Sequence, residues 1–354
     1  MKVCIIGQTD KKYLPYVTRY TDFLSQHDIA YDIIYWQQED LTIHSEPNEY
    51  YFKEPLREGF YKKLQSYHRF RNFIIPILQN GNYDRIIVLT TIPCILLRKY
   101  LLKNYQNRYL FDIRDYTFEK YGFYRKWVNQ LIDHSALTTI SSRGFLDFLT
   151  SNDKIVVNHN VSFFDQEKTT ALDLKQKQVI NISFLGKVRY FDENCSLLTK
   201  LKNTFRYQLW YIGKPEIECD LPTFCKDNEI TNVSFVENYA NEQKPILYEN
   251  IDIINSIYDE YALTATTALP HRLYEACIFK KPILSSKQTY LGEIIAKYGL
   301  GVVVNVLNDD VLSILDKYVD TFDPDQFIEN CNRFLADVRN DEVTLYERLE
   351  AFIK

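Results

Sequence analysis

Glycine is scarce, with ten residues in a chain of 354. None falls into G-x-G-x-x-G or G-x-x-x-x-G-K-[ST], so the dinucleotide and P-loop readings lose their main support. The seven cysteines (Cys4, Cys94, Cys195, Cys219, Cys225, Cys277 and Cys331) are odd in number and hold no C-x-x-C pair. They read as reduced thiols and seed no zinc or redox site. The six histidines (27, 44, 68, 134, 159 and 271) form no H-E-x-x-H and no ligand pair at helical spacing, so neither a bound catalytic metal nor a cofactor is expected. Nothing near His27, His44, His68, His134 or His159 in the sequence partners it, and each reads as a core or surface residue. Long apolar runs are missing too. The longest, 86–97, holds two threonines and a proline and is about twelve residues, against roughly 20 for a bilayer crossing. The opening MKVCIIG has no basic region, apolar stretch or cleavage site of a secretory signal, and a cytoplasmic protein is expected.

What is present describes a folded chain. Hydrophobic residues make up 46% and charged residues 25%, neither disordered nor fibrous, and the length suggests two domains. The net charge of -5 speaks against bulk nucleic-acid binding, and no nucleic-acid partner is expected. Charge is nevertheless polarised: residues 1–160 carry 21 Lys+Arg against 17 Asp+Glu, a balance of +4, and the rest carry 21 against 30, a balance of -9.

The first half alternates β-rich runs at 3–7, 31–36, 85–90, 109–113, 137–140 and 155–157 with helical candidates near 13–26, 57–79, 93–104, 122–134 and 142–150. This is the pattern of a parallel sheet covered by helices. Residues 162–178 are polar and read as a connection. The alternation then restarts, with strands expected at 180–185, 207–212, 232–235, 252–255, 282–285 and 301–304. A helical stretch, 324–353, closes the chain with Pro324 near its first turn. The fold class is α/β, two Rossmann-like doubly wound domains in tandem. Gly7, Gly186 and Gly213 each follow a candidate strand, where a chain turning at the carboxyl end of a parallel sheet approaches a ligand closely or simply makes a tight turn.

The segment TTALPHRLYEACIFKKPILSS, residues 266–286, is the most informative. A helix start offers unpaired backbone N–H groups and a positive dipole end to a diphosphate. His271 and Arg272 stand at that start, and Glu275, one turn on, is a carboxylate able to accept both hydroxyls of a ribose. The plain alternative is an amphipathic helix with Leu273, Ala276 and Cys277 inward. The segment resembles the donor-binding motif of GT-B-fold glycosyltransferases, particularly the family 4-like enzymes of bacterial capsular, exopolysaccharide or O-antigen assembly. ISFLGKVRY, residues 182–190, resembles that family's first donor-domain strand and loop, and the resemblance carries Gly186, Lys187 and Arg189 over to the diphosphate. YIGKPE (211–216), YENIDIINSIYD (248–259), LTTISSRGFLDFL (137–149) and IVVNHNV (155–161) follow in the family's order. Thr267 departs from it, standing eight positions before Glu275 where many relatives place a first glutamate that contacts the sugar.

The resemblance implies two domains facing a cleft, with the C-terminal helix returning to the first domain. Residues 1–162, joined by about 325–354, would receive a glycan or lipid-linked glycan acceptor, and 175–325 would hold a nucleotide-sugar donor of the UDP type. Metal-independent transfer with retention of configuration is implied. A noncatalytic GT-B-like partner subunit and a nucleotide-sugar epimerase of the same fold are the alternatives. FDIRDY, residues 111–116, puts Asp112, Arg114 and Asp115 at the end of a buried strand. There Asp115 could serve as catalytic base, or an internal Arg114–Asp salt bridge could fix the strand end. Residues 50–75 interleave six Lys/Arg with eight Tyr/Phe. They are a candidate for membrane-surface association at the inner face of the membrane, or else a core helix with a basic outer face.

Overall fold

The computed structural model describes residues 1–39, 46–57, 59–161, 165, 167–213, 220–237 and 239–354. His44, Cys219, Glu58, residues 162–164 and 166 of the polar connection, and residues 214–216 of YIGKPE lie outside them. The chain divides into two compact units, Met1–His159 with Asp341–Lys354, and Asn160–Asn340.

Unit 1 is built on seven strands, β1 (Lys2–Ile6), β2 (Ala30–Gln37), β3 (Glu49–Lys53), β4 (Arg85–Leu89), β5 (Tyr109–Ile113), β6 (Leu137–Ile140) and β7 (Ile155–Val157). They are parallel, in the order β3-β2-β1-β4-β5-β6-β7. KVCII, RIIVL and YLFDI are near-continuous apolar runs because a parallel sheet is covered on both faces. Alternate residues serve the two faces. Val3, Ile5, Ile33, Ile87 and Leu110 pack with Val17, Tyr20 and Leu24 of the helix Val17–Gln26 and with Leu345, Leu349 and Phe352. Trp36 points to the opposite face and meets Phe70 at 4.9 Å. That face carries the helices Phe60–Asn80, Thr91–Asn104 and Gly122–Asp133 side by side.

Unit 2 repeats the plan with β8 (Ile180–Leu185), β9 (Tyr207–Ile212), β10 (Val233–Val236), β11 (Ile253–Ser256), β12 (Ile283–Ser286) and β13 (Gly301–Val304). The strands are parallel, in the order β10-β9-β8-β11-β12-β13. In each sheet the order of strand addition therefore reverses once, between β1 and β4 and between β8 and β11. At such a switch point neighbouring connections diverge to opposite faces and leave a crevice beyond the carboxyl ends.

Twelve strands lie where the sequence predicts them. The thirteenth, β3, corrects the reading of 50–75 as one helical face. Residues 50–53 extend as an edge strand paired to β2, with Tyr50 opposite Ile34 and Phe52 opposite Trp36, and the helix begins only at Phe60. Residues 142–150 contain a short 3-10 turn, Arg143–Asp147, in place of the expected helix. His159 has a partner that sequence proximity does not reveal, since its Nε2 lies 2.9 Å from Asp341 Oδ2 in the returning helix. Among the described residues no helix is long and apolar enough to cross a membrane.

Gly186 and Gly213, with φ of +114° and +134°, turn the chain after β8 and β9. A Cβ on Gly213 would run into the carbonyl oxygen of Gly186, so the two turns pack backbone against backbone. Gly213→Ala is expected to lower stability by about 1–3 kcal/mol. An unchanged urea midpoint would show that the turn accommodates a side chain.

Candidate functional site

The carboxyl edge of the second sheet assembles its polar groups at the β8/β11 switch point. The helix His271–Ile278 starts there behind Pro270, which offers no side-chain cap. Arg272 Nη1 donates to the Asn255 carbonyl at 3.0 Å and Nη2 to the Tyr258 hydroxyl at 2.6 Å. Its guanidinium lies 4.0 Å from the Phe184 ring centroid and 5.4 Å from that of Tyr258. The cation is thus stacked on β8 through Phe184 and hydrogen-bonded to β11 at Asn255 and to Tyr258 just beyond it. Among the described residues two of the five N–H donors of an arginine are used, and the other three can meet an anion. A guanidinium already held in place forfeits little rotamer entropy on binding.

Around it the scaffold is aromatic. Phe184, Tyr211 and Phe235 sit opposite one another across β8, β9 and β10. Their rings stack at 6.0 and 5.7 Å. Tyr190 adopts the left-handed conformation at the start of the helix Phe191–Lys200 and meets Tyr258 edge-on at 5.3 Å. Burial pushes the Tyr190 hydroxyl above its ordinary value. Lys187 and Arg189 are exposed on the loop between β8 and that helix, and His271 is exposed at the helix start. The loop therefore has two cations near the turn at Gly186.

Glu275 is 1% exposed. One carboxylate oxygen accepts from Lys244 Nζ at 2.7 Å and the other from the Tyr248 hydroxyl at 2.6 Å. Burial and then the neighbouring carboxylate push the Tyr248 hydroxyl well above its ordinary value, so it stays a donor. Tyr248 is held flat against Phe279, with ring centroids 4.6 Å apart. Both oxygens of the group expected to receive ribose hydroxyls are therefore engaged within the unit. Thr267 is buried and donates to the Leu263 carbonyl at 2.9 Å.

The corresponding edge of unit 1 holds a buried polar network. Arg114 Nε donates to Asp112 Oδ2 at 2.9 Å, Thr139 to Asp112 Oδ1 at 2.7 Å, and Arg114 Nη1 to the Asn158 carbonyl at 3.2 Å. Burial opposes the charge on Arg114, yet Asp112 and the Tyr20 and Tyr16 hydroxyls hold the guanidinium protonated beyond its ordinary range. Of the FDIRDY carboxylates, Asp112 is thus bound up in the salt bridge, and Asp115 is exposed at the rim. Gly7 turns against Leu14, whose Cδ1 would collide with a Cβ there.

Sequence reasoning singled out Arg272 and Glu275 but missed Phe184, Asn255, Tyr258, Lys244 and Tyr248 as their partners. Tyr258 carried a signal, an aromatic residue just past a strand at the order reversal. Lys244 carried none, because 31 residues separate it from Glu275. Among the described residues no group of three His, Cys, Asp or Glu is placed to hold a metal ion.

No family model and no curated protein matches the sequence. Solved structures do match along the whole chain. The sucrose-phosphate synthase of Thermosynechococcus elongatus superposes with a TM-score of 0.70 at 10% identity, covering 99% of each chain. HepE of Anabaena in complex with UDP gives 0.70 at 13% identity, over 99% of this chain and 100% of that one. The lipopolysaccharide outer core galactosyltransferase WaaB gives 0.66 at 14% identity, over 100% and 99%. The fold is GT-B, shared with these glycosyltransferases.

Proposed function

We propose that the chain is a glycosyltransferase that moves a sugar from a nucleotide-sugar, of the UDP type, to a glycan or lipid-linked glycan in bacterial surface polysaccharide assembly. The observation that carries this reading is Arg272. It is a cation held against Phe184 and Tyr258 at the switch point, beside a helix start, with three donors that no described residue takes. Such a group stabilises charge developing on a leaving diphosphate without reorganising as the reaction proceeds. Lys187, Arg189 and His271 are the further donors we assign to the diphosphate. A solved neighbour binding UDP and glucose supports the same choice of nucleotide. Titration with UDP in a calorimeter tests the reading, and absence of binding overturns it.

The transfer we propose needs no metal, because cations and backbone N–H groups offset the diphosphate charge, and it retains anomeric configuration by the family resemblance. Activity is expected to persist in EDTA. Loss on chelation with recovery in magnesium or manganese would refute this. Asp115, exposed at the unit 1 rim, is the base we assign if the enzyme inverts instead. The capped Glu275 and the threonine at 267 favour a second reading, a noncatalytic GT-B-like subunit. UDP binding without hydrolysis of any nucleotide-sugar would favour that alternative.

For the acceptor we infer a membrane-surface encounter in which 50–75 takes part through its exposed end only. Phe60, Tyr61 and Leu64 are exposed beside Lys62 and Lys63. Phe70 is core, and Arg69 is engaged with Glu54, its Nε 2.7 Å from Oε2.

A further inference from the structure

A second surface, which the sequence reading left out, carries the membrane encounter further. The loop and helix after β5 expose Phe118, Tyr121, Phe123 and Trp127, with Phe123 59% open to solvent. Their rings touch in a row, Tyr121 to Phe123 at 6.0 Å and Phe123 to Trp127 at 5.3 Å. Apolar rings of this size are normally turned inward, and a contiguous exposed group of them marks a docking surface. Here the inward side of the helix Gly122–Asp133 is already filled by Tyr124, Val128, Leu131 and Ile132.

Cations frame the rings. Lys120 lies over Tyr121 at 5.2 Å and Arg98 over Trp127 at 4.8 Å, and Arg125 and Lys126 are exposed between the aromatic positions. The neighbouring helix Thr91–Asn104 adds exposed Lys99 and Lys103 and contains no acidic residue. The one carboxylate between residues 116 and 132, Glu119, is turned inward onto the Thr117 backbone N–H at 2.6 Å. Arg98, Arg125, Lys126 and Trp127 line an open hollow of about 570 Å³. The exposed carboxylates that flank this stretch are Asp115 and Asp133, the latter lining the hollow and accepting from Asn152 Nδ2 at 3.0 Å. The exposed Lys99, Lys103, Lys120, Arg125 and Lys126 outnumber them.

We propose that this face, together with the exposed start of the helix Phe60–Asn80, docks on an anionic lipid bilayer. The charge pattern selects that occupant. Aromatic rings with interleaved lysine and arginine match the boundary of headgroups and acyl chains, where rings enter the interface and cations meet phosphates. The arrangement adds a geometric reason. The two aromatic ends begin helices that flank Thr91–Asn104 in one layer, which sets them roughly 20 Å apart at ordinary helix spacing. An extended surface engages both at once. This inference rests on the membrane-surface part of the proposed function and is independent of the donor site.

The test is co-sedimentation with vesicles of equimolar phosphatidylglycerol and phosphatidylcholine at low salt. The intact chain is expected to bind these and to leave pure phosphatidylcholine vesicles. Lys120→Gln, Arg125→Gln and Lys126→Gln together are expected to weaken binding on the order of a hundredfold, taking about fivefold for each surface cation. Phe123→Ser is expected to weaken it with all charges kept. Trp127 emission is expected to shift to the blue on binding, a shift lost in Trp127→Phe. UDP affinity, measured on each variant, is expected to stay at that of the intact chain. If UDP does not bind while vesicle binding follows this pattern, the donor reading fails and the docking surface stands. Equal binding to neutral vesicles, no binding to either, or indifference to the triple change would overturn the proposal. Displacement by inorganic phosphate at the lipid phosphate concentration would overturn it in favour of a free-anion site. Self-association abolished by Phe123→Ser would overturn it in favour of a second copy.

Discussion

Glu275→Ala is expected to lower the stability of the second unit by about 3–5 kcal/mol, because it removes the acceptor of a buried ion pair and of a buried phenol together. Lys244 Nζ and the Tyr248 hydroxyl both end on this carboxylate, which is 1% exposed. Without it an ammonium and a hydroxyl face a low-dielectric pocket with nothing to bond. The Lys244 side chain is 17% exposed and swings partly toward water, which places the loss near the lower end of that range. Urea unfolding of both proteins measures it. A loss under about 1 kcal/mol, the level of a surface ion pair, would contradict the buried arrangement. The double change Glu275→Ala with Lys244→Met should recover part of the loss, since a buried pair removed entirely leaves no uncompensated charge. Glu275→Gln separates structure from binding. It keeps an acceptor for Tyr248, so a fall in UDP affinity without a fall in stability would show that the carboxylate meets the nucleotide as well.

The second large effect is expected on binding. Arg272→Ala should weaken UDP affinity by about 1.5–3 kcal/mol, roughly ten- to 150-fold, the worth of hydrogen bonds to a charged group. Arg272→Lys should recover little of this. A lysine lacks the planar guanidinium that stacks on Phe184 and cannot reach both the Asn255 carbonyl and the Tyr258 hydroxyl while keeping donors free. Calorimetry gives the affinities, and circular dichroism establishes that the variants fold. If Arg272→Ala binds UDP as the intact chain does, the switch-point arginine is a structural brace only.

The strands were legible in the sequence because burial on both faces of a parallel sheet leaves a local mark. Runs such as CIIG and RIIVL, separated by amphipathic stretches, state the element type within a few residues. β3 escaped because EYYFK is an edge strand. It alternates weakly, carries charge at both ends, and owes its conformation to pairing with β2. The Asp112–Arg114 pair was within reach too, since Arg114 follows directly on β5 two residues after Asp112, close enough in sequence for the pair to be proposed. His159 and Asp341, by contrast, stand 182 residues apart, a separation across which no pattern in either segment points to the other.

The candidate site divides in the same way. PHRLYEA by itself set a helix start bearing an arginine and a glutamate one turn apart, and the restart of alternation after the polar connection set a second sheet to present it. What those side chains do was decided by strand order. Only the placement of β8 beside β11 brings Phe184 under the guanidinium and the Asn255 carbonyl within 3.0 Å of it. Only the packing of the helix Lys244–Glu249 against the helix His271–Ile278 turns Glu275 from an open acceptor into the closed end of an ion pair. Propensity and periodicity act over the few residues of one turn or one strand. Partners across a sheet are chosen by topology, which the chain settles by burying its apolar faces as a whole.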